Sequence, residues 1–470
     1  MWPTDYTLPL LLLGLGPLLY AGWKARCIGF PELLSFRFLG ILFLWMGYHF
    51  SPWLSYVSAE PWPNFILVED LIDEGLLFST LCMVGFLVGY TLVYRKDGPE
   101  EGRQAEPIRI NLPPQTAYWL WGGCLVSLTV FLITVGDLGE AWGSARPRGY
   151  GQFEELGALD RMKQIIRILG PLIHLALACM GSLYILREKN APAVTRWSLG
   201  GLALLIASLD RLYNFSRWAG FALLILAFLA LRLEQRRGLK IAAIALAVAL
   251  LLGHCGVSQR NNFNPGVGNF IVAMVAPRES EEHRGVDRPS PDPAFNRLSA
   301  MESWTRKVEE RELLEPEFLE SLGAFCWNLQ PLPSQLVPVQ PLGAGLAEIL
   351  GTMESGSNVT TPALAEIYFV FGKMGCLIMV LLGMTYAWFE RNTVRQTGLI
   401  AINCLLLCMV SLPVGLHNGM RAMTRPIFYS LVLYVAARRL WPPPSNTPEV
   451  RHETLPLRFR QPPVMERKPS

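Results

Sequence analysis

Residues 239–256 read Leu239-Lys-Ile-Ala-Ala-Ile-Ala-Leu-Ala-Val-Ala-Leu-Leu-Leu-Gly-His-Cys-Gly256, and the only charged side chain among them is Lys240, at the beginning. Such a run is typical of a helix that crosses a lipid bilayer, which needs roughly 17–25 mostly apolar residues. The composition agrees, because 51% of the 470 residues are hydrophobic and only 17% are charged, whereas soluble domains carry about 25% charged residues. The sequence therefore predicts an all-α, polytopic integral membrane protein.

Ten further segments meet the same criterion, so we expect about eleven transmembrane helices. The predicted spans are 7–23, 34–54, 71–94, 116–136, 165–186, 197–213, 216–233, 239–256, 363–388, 397–413 and 424–441. The sixth and seventh are separated only by Asp210-Arg-Leu-Tyr-Asn-Phe-Ser-Arg217, which we interpret as a tight hairpin at the membrane face. The predicted organisation is helices one to eight in 1–256, an extracytoplasmic loop in 257–362, helices nine to eleven in 363–441 and a disordered cytoplasmic tail in 442–470.

The positions of Lys and Arg predict the orientation, because short cytoplasmic loops are enriched in these residues. With the N-terminus outside, the inner loops contain most of them: Lys24, Arg26, Arg37, Arg95, Lys96, Arg103, Arg109, Arg187, Lys189, Arg196, Arg232, Arg236, Arg237, Lys240, Arg391, Arg395, Arg438 and Arg439. The first outer loop, 55–70, has no Lys or Arg. We therefore expect the N-terminus outside the membrane and the C-terminus in the cytoplasm.

The later outer segments break this charge rule, since they carry several arginines. These are Arg146, Arg148, Arg211, Arg217, Arg260, Arg421 and Arg425, with His417 one helical turn before Arg421. Guanidinium groups gathered on an extracytoplasmic face favour an anionic, phosphate-bearing, lipid-linked ligand. Interaction with lipid headgroups or with local carboxylates is the alternative explanation.

Glu366 lies one turn into the otherwise apolar ninth span. A carboxylate there costs roughly 2.5–3.5 kcal/mol unless it is paired or hydrated. Two interpretations remain open. It can cap free N–H groups at the beginning of its helix, or it can face an outer cavity and accept a proton from a sugar hydroxyl.

Several classes of protein are not indicated by this sequence. It has no Walker loop, no Gly-x-Ser-x-Gly and no His-Glu-x-x-His motif, and its six His are not clustered, so we expect neither a metal site nor a cofactor. A net charge of +3 gives no reason to expect nucleic-acid binding.

Asn358-x-x-x-Pro362-x-x-x-Glu366-x-Tyr368-x-x-x-Gly372, at the end of the predicted loop, resembles the closing motif of bacterial oligosaccharide repeat unit polymerases. These are the Wzy-type O-antigen and exopolysaccharide polymerases. Ser216-Arg217 at the start of an apolar helix is similar to an element of these polymerases and of the related O-antigen ligases. The plan of about eleven spans with one large external loop late in the chain is similar as well.

The resemblance implies a metal-independent glycosyltransferase of the bacterial inner membrane that joins undecaprenyl-diphosphate-linked oligosaccharide repeat units into a surface polysaccharide. It implies lipid-linked glycan and membrane lipids as partners, together with a flippase and a chain-length regulator. Arg217 and Arg421 would stabilise the diphosphate leaving group, and Glu366 would act as the base. The candidate substrate-binding residues are Arg146, Arg211, Arg260, Asn358, Tyr368, His417 and Arg425.

Three other functions remain as alternatives. An O-antigen ligase usually has a catalytic-looking His in the large loop, where this chain has only His283. A flippase or exporter of lipid-linked glycans would place charges within its spans along a route, whereas only Glu366 and His254 are expected to be inset here. A scaffold of an envelope assembly complex would not need arginines confined to one face.

Overall fold

Helices make up the regular structure of this chain, and no β-strand occurs among the residues that the structure describes. The structure is a computed structural model. It describes residues 5–28, 30–58, 69–94, 112, 115–136, 138–143, 158–188, 190–216, 218–259, 262–277, 321–323, 325–326, 329, 362–394, 412, 415 and 419–440. The expectation of an all-α protein is confirmed for these ranges.

The helices with described bounds are labelled in chain order. They are α1 (Thr7–Ile28), α2 (Phe36–Trp45), α3 (Ser51–Ser58), α4 (Glu69–Tyr94), α5 (Thr116–Val135), α6 (Leu138–Trp142), α7 (Ala158–Arg187), α8 (Ala193–Tyr213), α9 (Phe221–Glu234), α10 (Leu239–Ser258), α11 (Val267–Val275), α12 (Ala363–Phe371), α13 (Cys376–Val394) and α14 (Met420–Leu440). A π-helical turn, Met46–Phe50, connects α2 to α3. The 3₁₀ turns are Phe30–Leu34, Gln235–Gly238 and Gly372–Gly375.

Several of these helices have the length and composition of membrane spans. Among the described residues, five segments qualify: Thr7–Ile28, Leu71–Tyr94, Thr116–Val135, Leu239–Gly256 and Ala363–Arg391. The last of these comprises α12, the 3₁₀ turn and most of α13. Helices also occupy the second, fifth, sixth, seventh and eleventh predicted spans. The tenth, 397–413, lies outside the described residues except for residue 412, and so does most of the predicted loop 257–362.

Close packing of glycines joins α4 to α13. A Cβ atom on Gly89 would overlap the carbonyl oxygen of Val380, and one on Gly383 would overlap that of Phe86. Small residues allow two helix backbones to approach closely, which is a common way for helices to associate in membranes. The pair belongs to a cluster of buried residues that also includes side chains of α1, α2, α12 and α14.

A second group of helices consists of α5, α7, α8, α9 and α10, whose buried side chains form a separate cluster. A tight turn lies between α8 and α9, where the sequence predicts a hairpin at the membrane face. Phe215 adopts a positive φ of 48°, and the N–H of Ser216 donates to the carbonyl oxygen of Arg211 at 2.9 Å. The helix α9 begins at Phe221 and has 14 residues, about 21 Å of helix, which is shorter than the roughly 30 Å hydrocarbon core of a bilayer.

The ninth predicted span, 363–388, is not one continuous helix, which corrects the sequence-based expectation. The first helix of this span, α12, ends at Phe371, and the next residue, Gly372, has a φ of +56°. Ile367 then contacts the turn at Gly375, although residues eight apart in a continuous helix lie about 12 Å apart. The helix α12 therefore packs against the 3₁₀ turn Gly372–Gly375 that precedes α13, and its residues from Ala363 to Val370 are all buried.

Candidate functional site

Glu366 connects two helices that are distant in sequence. Its side chain is only 6% exposed, and its Oε2 accepts a hydrogen bond of 2.9 Å from the backbone N–H of Met420. Met420 is the first residue of α14, so the carboxylate caps a helix other than its own. A negative charge at this position is favourable, because the N-terminus of a helix carries a partial positive charge.

This hydrogen bond joins Glu366 to the first turn of the helix that carries two of the predicted arginines. Arg421 is the second residue of α14, and Arg425 follows one turn later. The chain reaches α14 through Gly419, whose φ of +89° suits glycine. The structure thus unites the candidate base with the helix that carries Arg421 and Arg425.

Parts of the predicted external loop pack against the same region. The ring of Phe325 lies edge-on to Phe371, the last residue of α12, with centroids 5.2 Å apart. The hydroxyl oxygen of Thr424 on α14 lies 3.4 Å from the carbonyl oxygen of Leu329. The described fragments of 257–362 therefore border the helices that carry Glu366 and the two arginines.

Tyr368 points away from this junction, because residues two apart lie about 200° apart around a helix. Its hydroxyl donates to Oε1 of Glu74 on α4 at 2.6 Å, and its ring packs edge-on against Phe78 at 4.9 Å. The Nζ of Lys373 lies 3.1 Å from the same Glu74 oxygen. This geometry gives Tyr368 a packing and hydrogen-bonding role between α12 and α4.

The sequence predicts no role for Glu74, although Glu74 resembles Glu366 in its position. It is a carboxylate near the beginning of an apolar span. Its neighbour Asp73 accepts a hydrogen bond of 2.9 Å from the Thr7 hydroxyl on α1. Two carboxylates of α4 thus connect it to α1, α12 and the turn before α13.

Arg211 lies at the turn between α8 and α9. Its Nε is 3.9 Å from Oδ2 of Asp210, and the Asn214 amide nitrogen donates to the Asp210 carboxylate at 3.2 Å. These contacts agree with the alternative in which a cation interacts with a local carboxylate. The cluster around α8 is separate from the one that contains the Glu366 region.

Two buried histidines correct the expectation that only Glu366 and His254 are inset. His174 on α7 is 5% exposed, and its Nδ1 lies 2.6 Å from the Ser127 hydroxyl on α5. His49, in the π-helical turn, is fully buried and lies 2.9 Å from the Ser79 hydroxyl on α4. Both imidazoles connect neighbouring helices, whereas His254 is exposed on α10.

The remaining predicted site residues lie outside the described residues. They are Arg146, Arg148, Arg217, Arg260, Asn358 and His417. Among the described residues, no group of three or more His, Cys, Asp or Glu side chains is placed to hold a metal ion.

Comparisons with family models, with curated proteins and with solved structures matched none of them. A functional assignment for this chain therefore rests on its own residues and on the arrangement around Glu366.

Proposed function

We propose that this chain is a glycosyltransferase of the bacterial inner membrane that joins undecaprenyl-diphosphate-linked oligosaccharide repeat units on the outer face. The observation that carries the proposal is the hydrogen bond from the Met420 N–H to Glu366. It places a carboxylate beside the helix that begins with Met420-Arg421 and includes Arg425. A base for an acceptor hydroxyl and cations for a leaving diphosphate are the two elements that this transfer needs.

In the proposed reaction, the acceptor hydroxyl loses its proton to Glu366 as its oxygen bonds to the anomeric carbon of the donor. The bond between that carbon and the diphosphate breaks, and its electron pair leaves on undecaprenyl diphosphate. Arg217 and Arg421 stabilise the charge that develops there, since preorganised donors act most strongly in a site that excludes water. Arg146, Arg211, Arg260, Asn358, His417 and Arg425 are proposed to hold the diphosphate and the glycan.

The proposal includes the full topology expected from the sequence. Eleven spans would surround the site, with 257–362 as the outer loop, the N-terminus in the periplasm and the C-terminus in the cytoplasm. The packing of Phe325 and Leu329 against α12 and α14 supports a loop that borders the site. A flippase would supply the substrate, and a chain-length regulator would limit the product.

An exporter of lipid-linked glycans is less well supported. The inset histidines do not line a route, because His49 and His174 are 0% and 5% exposed and lie between packed helices. Both are hydrogen-bonded to serine hydroxyls of the neighbouring helix. Polar contacts of this kind hold transmembrane helices together.

The direct test uses purified protein with lipid-linked repeat units extracted from cells that lack this chain. A polymerase makes glycans of two or more repeat units that remain attached to undecaprenyl diphosphate. An exporter reconstituted in vesicles moves single repeat units across the membrane without lengthening them. A ligase makes no longer glycan from these substrates unless lipid A core is added. A preparation that binds the substrate but never lengthens it would contradict the proposal.

A further inference from the structure

The two short helices α6 and α11 pack against each other through glycines. A Cβ atom on Gly266 would lie 2.6 Å from the carbonyl oxygen of Trp142, the last residue of α6. One on Gly268 would lie 2.5 Å from the Trp142 indole ring. Only glycine permits this approach, and Gly266 also has a φ of +150°. The two helices therefore form one unit, here called the α6–α11 pair.

The pair lies at the C-terminal ends of three longer helices, α5, α8 and α10. The N–H of Gly266 donates to the carbonyl oxygen of Tyr213, the last residue of α8, at 3.0 Å. The ring of Tyr213 lies 6.1 Å from that of Phe131, near the end of α5. Phe270 of α11 packs at 5.1 Å against Phe215, just beyond α8. The pair is thus fixed to the helix ends by its buried side.

The opposite side of the pair is apolar and exposed. The exposed fractions are 73% for Leu138, 65% for Trp142, 49% for Ile271, 51% for Val272, 41% for Met274 and 82% for Val275. Residues 262–277 contain no charged residue. The helix α11 has nine residues, about 14 Å of helix, which is far too short to cross a bilayer of roughly 30 Å. An apolar surface of this kind needs an apolar environment.

Lipid is the environment that the neighbouring surfaces indicate. The exposed side chains of α5 and α10 are also apolar near the ends that meet the pair, among them Ile133, Leu250 and Leu251. Both helices have the length and composition of membrane spans, so lipid is the environment expected around these side chains. Trp142 suits the boundary, because Trp is enriched where a membrane meets water.

We propose that the α6–α11 pair is embedded in the lipid leaflet at the ends of α5, α8 and α10, and lies in the membrane without crossing it. This inference does not depend on the enzymatic proposal or on which side of the membrane is outside. Its consequence is that Pro277, the last described residue before the hydrophilic sequence that begins Arg278-Glu279, lies at the membrane surface.

Spin labelling tests this directly. Val275→Cys carries a nitroxide in a variant whose exposed Cys27 and Cys326 are replaced by Ser, reconstituted in phosphatidylcholine vesicles. Collision rates with oxygen, which concentrates in lipid, and with a water-soluble nickel chelate are then measured. The lipid reference is Leu250→Cys on α10, and the water reference is Asn190→Cys, an exposed position in the turn before α8.

The label at residue 275 is expected to resemble the one at 250, with frequent oxygen collisions and few nickel collisions. Labels at Val272→Cys and Met274→Cys repeat the measurement on the same helix, so one poorly folded variant does not decide it. Nickel collisions as frequent as at residue 190 would place α11 in water and overturn the proposal. Protection from both reagents would also overturn it, because the surface would then be covered by residues 278–361 or by a second copy of the chain.

Discussion

Glu366 is the residue at which catalysis and helix capping can be separated by one substitution. Glu366→Gln preserves an oxygen that can accept the hydrogen bond from Met420, but it removes the base. If Glu366 takes the acceptor proton, the turnover of lipid-linked repeat units should fall by about 10²–10⁴-fold, while membrane abundance and the thermal midpoint stay near those of the wild type. The measurement is the assay with purified protein, read as glycan length.

The capping interpretation predicts the opposite result for the same variant. Gln would retain most of the turnover, and near-wild-type activity would leave Glu366 a structural residue. Glu366→Ala is the companion variant, because it also leaves the buried Met420 N–H without its acceptor. That loss should cost about 1–3 kcal/mol of stability.

Arg421 and the two predicted arginines Arg217 and Arg260 are expected to bind the diphosphate or the glycan. Each Arg→Ala variant should lose polymer formation, by about 10²–10³ in rate for one donor to the leaving group, while its membrane abundance stays near normal. Arg→Lys should restore little activity, because a point charge cannot reproduce the bidentate geometry of guanidinium.

Lys240→Ala is the control, since it removes a cation that is exposed and predicted to lie in a cytoplasmic loop. The anion-site hypothesis is wrong if all three alanine variants still make full-length polymer.

The candidate site was only partly predictable from the sequence, because its contacts join distant residues. Glu366 attracted attention as an inset carboxylate, but its partner Met420 is 54 residues away. Glu74 is also a carboxylate inside a predicted span, but it stands next to Asp73 near the end of that span, where carboxylates are common. Its connection to Tyr368, 294 residues later, depends on the tertiary packing of α4 against α12.

At the level of the helices, the contact between α4 and α13 is the one most sensitive to a single methyl group. Gly89→Ala should destabilise the protein, because the new Cβ overlaps the Val380 carbonyl oxygen and backbone cannot move aside as a side chain can. Overpacking of this kind costs about 1–3 kcal/mol. Thermal unfolding of the purified protein in detergent should show a lower midpoint.

Gly122→Ala on α5 is the matched control, since a Cβ there meets no atom within 4 Å. Replacing a helical glycine by alanine in open space should be neutral or stabilise the helix by up to about 1 kcal/mol. Equal midpoints for the Gly89 and Gly122 variants would show that α4 and α13 are not packed as described.

The positions of the long helices followed from composition, whereas their interruptions did not. The apolar runs at 71–94 and 239–256 correspond to α4 and α10, because long runs without charge leave few alternatives to a helix. The break at Gly372 coincides with Gly372-Lys-Met-Gly375, a short segment with two glycines and a lysine inside the apolar span 363–388. A segment of four residues lowers the hydropathy of a long span too little to divide it in two, and the contact of Ile367 with Gly375 is seen only in the structure.

For the whole molecule, the central question is which side of the membrane carries Arg421 and Arg425. The predicted orientation rests on Lys and Arg in the short inner loops. The later outer arginines are exceptions to that rule, so the orientation and the proposed anion site depend on each other. An inverted chain would place α14's first residues in the cytoplasm, where undecaprenyl-diphosphate-linked repeat units are not polymerised in the proposed reaction.

Two native cysteines can be used to test this orientation. Cys27, at the end of α1, and Cys326, in the predicted loop, are both exposed, and they are expected on opposite sides of the membrane. A membrane-impermeant thiol reagent added to cells with a permeabilised outer membrane should therefore label Cys326 and leave Cys27 unmodified. Cysteines introduced at 280–300 should react like Cys326, and one near residue 236 should react only after the inner membrane is opened. Labelling of Cys27 and residue 236 in intact cells, with Cys326 protected, would reverse the topology and remove the outer arginine site with it.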